Sequence, residues 1–155
     1  MPRFLAIDLG TKRIGVACGD TDTKLAIPLS TLHATGKNEC DVEAVLALAK
    51  EYETDGYVVG LPLNMDGTEG EACKLARRFG DLLGRLAERP VHYWDERLSS
   101  VAAEELLRPA ELTRKKRKAR IDRVAAQVIL QGFLDARGEQ PDAAAPDDAP
   151  NAPDP

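Results

Sequence analysis

The chain has 155 residues, enough for one ordinary domain, with 43% hydrophobic residues but only 5% aromatics, so aliphatic side chains must fill its core. No apolar run approaches the roughly 20 residues that span a bilayer, and the opening Met1-Pro2-Arg3-Phe4-Leu5 lacks the apolar stretch of a signal peptide, so a soluble, cytoplasmic protein is expected. The formal charge of −5 conceals a balance: five of the 26 acids lie in residues 139–155, which hold no Lys or Arg, leaving 21 acids against 21 basic residues over 1–138.

Residues 3–8 read as a buried strand ending in a carboxylate, Asp8. Residues 9–13 form a turn and residues 14–19 resume the apolar run, making a hairpin. Residues 25–32 are a third strand, in which Pro28 marks an edge or a bulge. Over residues 41–52 the period changes, with Val42, Val45, Leu46 and Ala49 at helical spacing. Residues 56–61 are a short buried strand stopped by Pro62, and Asn64-Met65-Asp66-Gly67 is a turn. A longer helix follows, with Ala72, Leu75, Ala76, Phe79, Leu82, Leu83 and Leu86 assigned to its apolar stripe. Pro90 ends it and opens a strand over 91–95. Ser99 or Ser100 caps a further helix to about Leu107, which Pro109 breaks. A basic loop comes next, and the last helix spans 121–136 with Ile121, Val124, Ala125 and Val128 on one face.

Strands alternating with helices in the second half imply parallel pairing there, and the opening hairpin makes the sheet mixed. The expected fold class is α/β, a five-stranded mixed sheet with helices on both faces, over residues 1–138. Residues 139–155, rich in Pro, Ala and Asp, are expected to be a disordered acidic tail. Cys18, Cys40 and Cys73 are odd in number and lack metal-ligand spacing, so they are expected to be buried or half-buried thiols. His33 and His92 are isolated and are read as strand or loop residues rather than ligands.

Three carboxylates stand out because they come from separate elements. Asp8 ends an apolar strand, where an ionised group needs a partner, either a divalent cation or a nearby Arg. In Asp95-Glu96-Arg97 consecutive residues face opposite sides, so one acid can face a metal while the other pairs with Arg97. Asp122 is expected in the first turn of the last helix, where the helix dipole also accounts for it. Small Ala125 and Ala126 would let that helix approach the sheet. Carboxylate oxygens suit hard cations such as Mg²⁺ or Mn²⁺, and two such ions about 4 Å apart can promote phosphodiester hydrolysis. Residues 108–123 hold eight basic residues and two acids. Of these Arg114, Lys115, Lys116, Arg117, Lys118 and Arg120, with Lys12 and Arg13, are candidate phosphate contacts. Gly60 would allow close backbone approach and the turn after it could touch substrate, although simple turn chemistry explains the segment equally well.

Four motifs together resemble the YqgF/RuvX family: Asp8-Leu9-Gly10-Thr11-Lys12-Arg13-Ile14-Gly15-Val16-Ala17, Val58 through Gly67, Asp95-Glu96-Arg97-Leu98-Ser99-Ser100, and Ile121-Asp122 with Ala125-Ala126. The resemblance covers residues 3–136. It implies an RNase H-like fold related to the RuvC resolvases and metal-dependent nuclease activity, with Asp8, Glu96 and Asp122 as the metal-binding and catalytic triad. It also implies a nucleic-acid partner, either precursor 16S rRNA trimmed at its 5′ end or a Holliday junction resolved in recombination. A resolvase would act as a symmetric homodimer. Two rival readings remain. Asp8-Leu9-Gly10-Thr11 is also similar to the first phosphate loop of actin-like ATPases, but no second glycine-rich loop follows. A nucleic-acid-binding assembly factor without catalysis would use the basic segment and need no metal.

Overall fold

A computed structural model describes residues 2–98 and 114–139, with side chains described over 2–98 and 123–137. Five strands form one sheet: β1 (Arg3–Leu9), β2 (Arg13–Asp20), β3 (Ala26–His33), β4 (Gly56–Leu61) and β5 (Val91–Asp95), in the order β3-β2-β1-β4-β5. β1 pairs antiparallel with β2, and β2 with β3, whereas β1–β4 and β4–β5 are parallel. The hairpin at residues 9–13 closes through Gly10, whose N–H donates to the Arg13 carbonyl at 2.9 Å. A Cβ on Gly10 would stand 2.7 Å from that oxygen, so the turn requires glycine. β3 is an edge strand, and the β2–β3 register shifts between Val16 and Ala17, opposite Ser30 and Pro28. Pro28 therefore marks both an edge and a bulge.

The helices are α1 (Asn38–Glu51), α2 (Glu71–Ala87) and α3 (Arg114–Glu139). The central strands are buried on both sides, and their side chains alternate between two cores. Leu5, Ile7, Ile14, Val16, Tyr57, Val59 and Leu61 pack with Val42 and Val45 of α1 and Phe79 and Leu83 of α2. Phe4, Ala6, Ala17, Ala26 and Val58 pack with Ala126, Ile129, Leu130, Phe133 and Leu134 of α3. Helices thus cover both faces, as the sequence predicts.

Several local expectations are corrected. α3 begins at Arg114, not at 121, so the basic residues 114–120 form helical turns instead of a loop. Lys and Arg are good helix formers, and charge density alone does not define a loop. Asp122 consequently lies in the third turn of α3, beyond the reach of the N-terminal dipole. The buried face of α3 is Val124, Ala126, Ile129, Leu130, Phe133 and Leu134, while Ala125 and Val128 are only half-buried. On α2 the buried stripe is Cys73, Ala76, Phe79, Gly80 and Leu83, and Ala72, Leu75 and Leu86 are exposed. Cys40 is exposed rather than half-buried. The helix expected after Ser99 or Ser100 and the tail from residue 140 onward lie outside the described residues. No helix among the described residues is long and apolar enough to cross a membrane.

Candidate functional site

The period of two decides which acids meet. Phe4 and Ala6 of β1, Val58 of β4 and Trp94 of β5 all pack against α3, so Asp8, Gly60 and Glu96 follow on that same side of the sheet. Their level is fixed by register: Gly60 pairs with Trp94, and Leu61 with Asp95. Glu96 is thus the first residue beyond the β4–β5 ladder, and it opens a short 3₁₀ turn, Glu96–Leu98.

Glu96 fits because residue 60 has no side chain. A Cβ on Gly60 would lie 2.5 Å from Glu96 Oε2, 2.9 Å from Glu96 Cγ and 2.7 Å from Ile129 Cδ1. Gly60 is therefore the seat of Glu96: the close approach that its missing side chain permits is that of the Glu96 carboxyl group. The signal was present as a glycine in a buried strand at the same alternation as Asp8.

Asp8 and Glu96 are both half-buried, and their carboxyl groups share a hydrogen bond. Burial, first, and then the adjacent Asp8 charge push Glu96 up to about 8, with a smaller contribution from Asp95. Near neutral pH two carboxylates this close do not both ionise unless a cation neutralises them. The pair is an all-oxygen donor set of the kind that suits a hard divalent cation. Among the described residues no third Asp, Glu, His or Cys completes a metal-binding group with it.

Asp95 has a different task. Its carboxylate accepts two bonds from Arg97 Nε, at 3.0 Å each, and one from Nη2 at 2.7 Å, and it also accepts the Arg97 backbone N–H at 2.9 Å. Those bonds hold Asp95 below the usual carboxylate range. Of the alternatives left open by the sequence, Glu96 faces Asp8 and Asp95 pairs with Arg97.

The third acid, Asp122, is placed on the helical backbone of α3, and its side chain lies outside those described. The helix runs against the direction of β1. Phe133 packs on Phe4 and His92, with ring centroids 5.1 and 5.0 Å apart, whereas Ile129 reaches Gly60 at the carboxylate end. Lys12 is exposed and Arg13 half-buried beside the β1–β2 turn, at the same end of β1 as Asp8. The Lys12 carbonyl ties the turn to the end of β3 by accepting the Ala34 N–H at 2.9 Å. Arg114, Lys115, Lys116, Arg117, Lys118 and Arg120 occupy the opening turns of α3, and their side chains are not among those described.

Residues 2–136 match the model of a family described as "RuvX: Holliday junction resolvase". A protein of Ruegeria pomeroyi named "Putative pre-16S rRNA nuclease" is 49% identical over 138 residues, 87% of this chain and 89% of the relative. A Neisseria gonorrhoeae protein of the same name is 48% identical over 131 residues, 84% and 86% of the two chains. Among solved structures, RuvC of T. thermophilus in complex with a Holliday junction substrate superposes with a TM-score of 0.54 at 14% identity, covering 88% of this chain and 96% of that one. At that identity the likeness is one of fold. The seated carboxylate pair therefore belongs to an RNase H-like chain that is a member of the RuvX family.

Proposed function

We propose that this protein is a metal-dependent endonuclease that hydrolyses phosphodiester bonds, with precursor 16S rRNA as its substrate. The observation that carries the reading is the meeting of Asp8 and Glu96, which burial and mutual repulsion leave short of one positive charge. Asp8 and Glu96 would hold Mg²⁺ or Mn²⁺, with Asp122 as the third carboxylate. Position 122 is four residues before Ala126 and seven before Ile129, a helical spacing that supports this role. When bound, the metal supplies the charge that polarises the phosphate and lowers the pKa of the attacking water.

The chain's own groups do the rest. Asp8 and Glu96 would hold the metal as two carboxylates, the Glu96 proton going to solvent. Lys12, Arg13 and the basic opening of α3 hold flanking phosphates, which positions the strand without reading its sequence. Precursor 16S rRNA is preferred because relatives near half identity carry that name. A Holliday junction is the second reading, favoured by the family description.

The test is cleavage of a labelled 5′-leader fragment of precursor 16S rRNA and of a four-way DNA junction, each with Mn²⁺ and with EDTA. The expected result is Mn²⁺-dependent cutting of the RNA, abolished in Asp8→Asn with binding retained. Cutting of the junction alone would transfer the assignment to the second reading. Binding to either polymer without cutting would make the protein a non-catalytic assembly factor.

A further inference from the structure

The geometry points to Arg97 as a positioning residue: it clamps the turn after β4 to the end of β5 and thereby holds Glu96 on its Gly60 seat. This inference rests on the nuclease reading only for what Glu96 does.

The last parallel pair is Leu61 with Asp95. Beyond it the two strands diverge, β4 into the turn that leads to α2 and β5 into the 3₁₀ turn, so ladder hydrogen bonds no longer fix Glu96. Arg97 spans that gap. Its Nε and Nη2 fork onto Asp95, while Nη1 donates to the Met65 carbonyl at 3.2 Å. The same Nη1 would lie 3.7 Å from a Cβ on Gly67, which has a φ of +90°.

The turn it grips is itself braced. Asn64 N–H donates to the Thr68 carbonyl at 2.9 Å and Gly67 N–H to the Asn64 carbonyl at 2.8 Å. The Asp66 carboxylate accepts both the N–H and the hydroxyl of Thr68, at 3.0 and 2.6 Å. Glu96 is thereby bracketed by two residues, Asp95 and Arg97, that are fastened to each other and to a stiff turn. A planar guanidinium can serve the carboxylate and the carbonyl at once; a lysine ammonium on a flexible stem serves one well.

The experiment compares wild type with Arg97→Ala, Arg97→Lys and Asp95→Asn, the last as the milder way to loosen the clamp. Three quantities are read: amide hydrogen exchange in residues 61–68 and 95–98, Mn²⁺ affinity by titration calorimetry, and affinity for the labelled RNA leader in EDTA. Arg97→Ala is expected to speed exchange in both segments and to weaken Mn²⁺ about tenfold, as removal of groups that orient metal ligands does. RNA affinity should stay within about twofold, and Arg97→Lys should fall between.

Unchanged exchange and unchanged Mn²⁺ affinity in a folded variant would overturn the clamp. So would loss of RNA affinity at constant Mn²⁺ affinity, which would make Arg97 a phosphate contact. A wild-type chain that binds no Mn²⁺ sinks the nuclease reading instead, and the exchange data then decide the clamp alone.

Discussion

The two faces of the sheet are built to different rules. The face under α1 and α2 is filled with large apolar side chains, among them Leu5, Ile7, Ile14, Val16, Phe79 and Leu83, all fully buried. The face under α3 is graded. At one end Phe4, His92 and Phe133 stack edge-on or tilted within 6 Å, with Arg137 over two of the rings. Toward the other end the side chains shrink to Ala6, Val58, Ala126 and Gly60, and there Asp8 and Glu96 enter. Both faces bury apolar side chains, but the second gives up apolar volume at one end to admit two adjacent carboxyl groups. A substitution on the first face should change stability without chemistry, whereas one at the carboxylate end of the second should change the chemistry.

The largest effect is expected from Phe79→Ala on the face under α1 and α2. Phe79 is fully buried against α1 and the sheet, so its loss should cost about 3–5 kcal/mol of stability. Denaturant unfolding would show this, and activity per folded molecule should be unchanged. A loss of activity out of proportion to unfolding would mean the faces are coupled. Gly60→Ala is the counterpart. The new methyl group must displace either the Glu96 carboxylate or the Ile129 tip. If Glu96 acts as proposed, displacing it by about 1 Å should cost on the order of 100-fold in rate, roughly 2.7 kcal/mol of barrier. Steady-state cleavage should show the loss in kcat rather than KM.

How much of this was legible in the sequence varies along the chain. Strand β1, with its run from Phe4 to Ile7 before Asp8, announces both itself and the carboxylate. The opposite facing of Asp95 and Glu96 follows from the strand period alone. Which of the two meets Asp8 depends on the Gly60–Trp94 and Leu61–Asp95 register across β4 and β5, a long-range fact that local pattern does not contain. Leu75 and Leu86 misled because exposed leucines are common on globular surfaces and periodicity cannot tell one side of a mixed helix from the other. The opening of α3 misled because a dense basic run was read as solvated loop, although its residues favour helix. The Arg97 grip on the Met65 carbonyl had no sequence signal, since any residue can offer a carbonyl.

Glu96→Gln sharpens the contrast through pH. Burial, and then the Asp8 charge, push Glu96 up to about 8 from an ordinary 4.5. Between those values the folded state keeps a proton that the unfolded state has released, so metal-free stability should fall as pH rises through that window. Glutamine carries no titrating proton and removes that slope. At pH 8 without metal, Glu96→Gln should melt a few degrees higher than wild type while cleaving nothing. A variant no more stable than wild type at pH 8 would mean that neither burial nor the Asp8 charge disfavours the ionised Glu96.

The smallest effect tests the aromatic end of the same face. Burial, with a further push from the Arg137 charge, drops His92 from 6.5 to about 4. The sign is opposite to that of Glu96. Between pH 6.5 and about 4 the unfolded chain binds a proton that the folded chain refuses, so stability should decline as pH falls through that window. His92→Phe keeps a ring against Phe4 and Phe133 and removes the proton site. Its melting temperature should match wild type near pH 7 and exceed it by a growing margin toward pH 4.5. The carboxylate end should be indifferent: Mn²⁺ affinity at pH 7.5 should equal that of wild type. A changed Mn²⁺ affinity would show that the aromatic end sets the height of α3 above the carboxylates, and the two ends of this face would then have to be treated as one device.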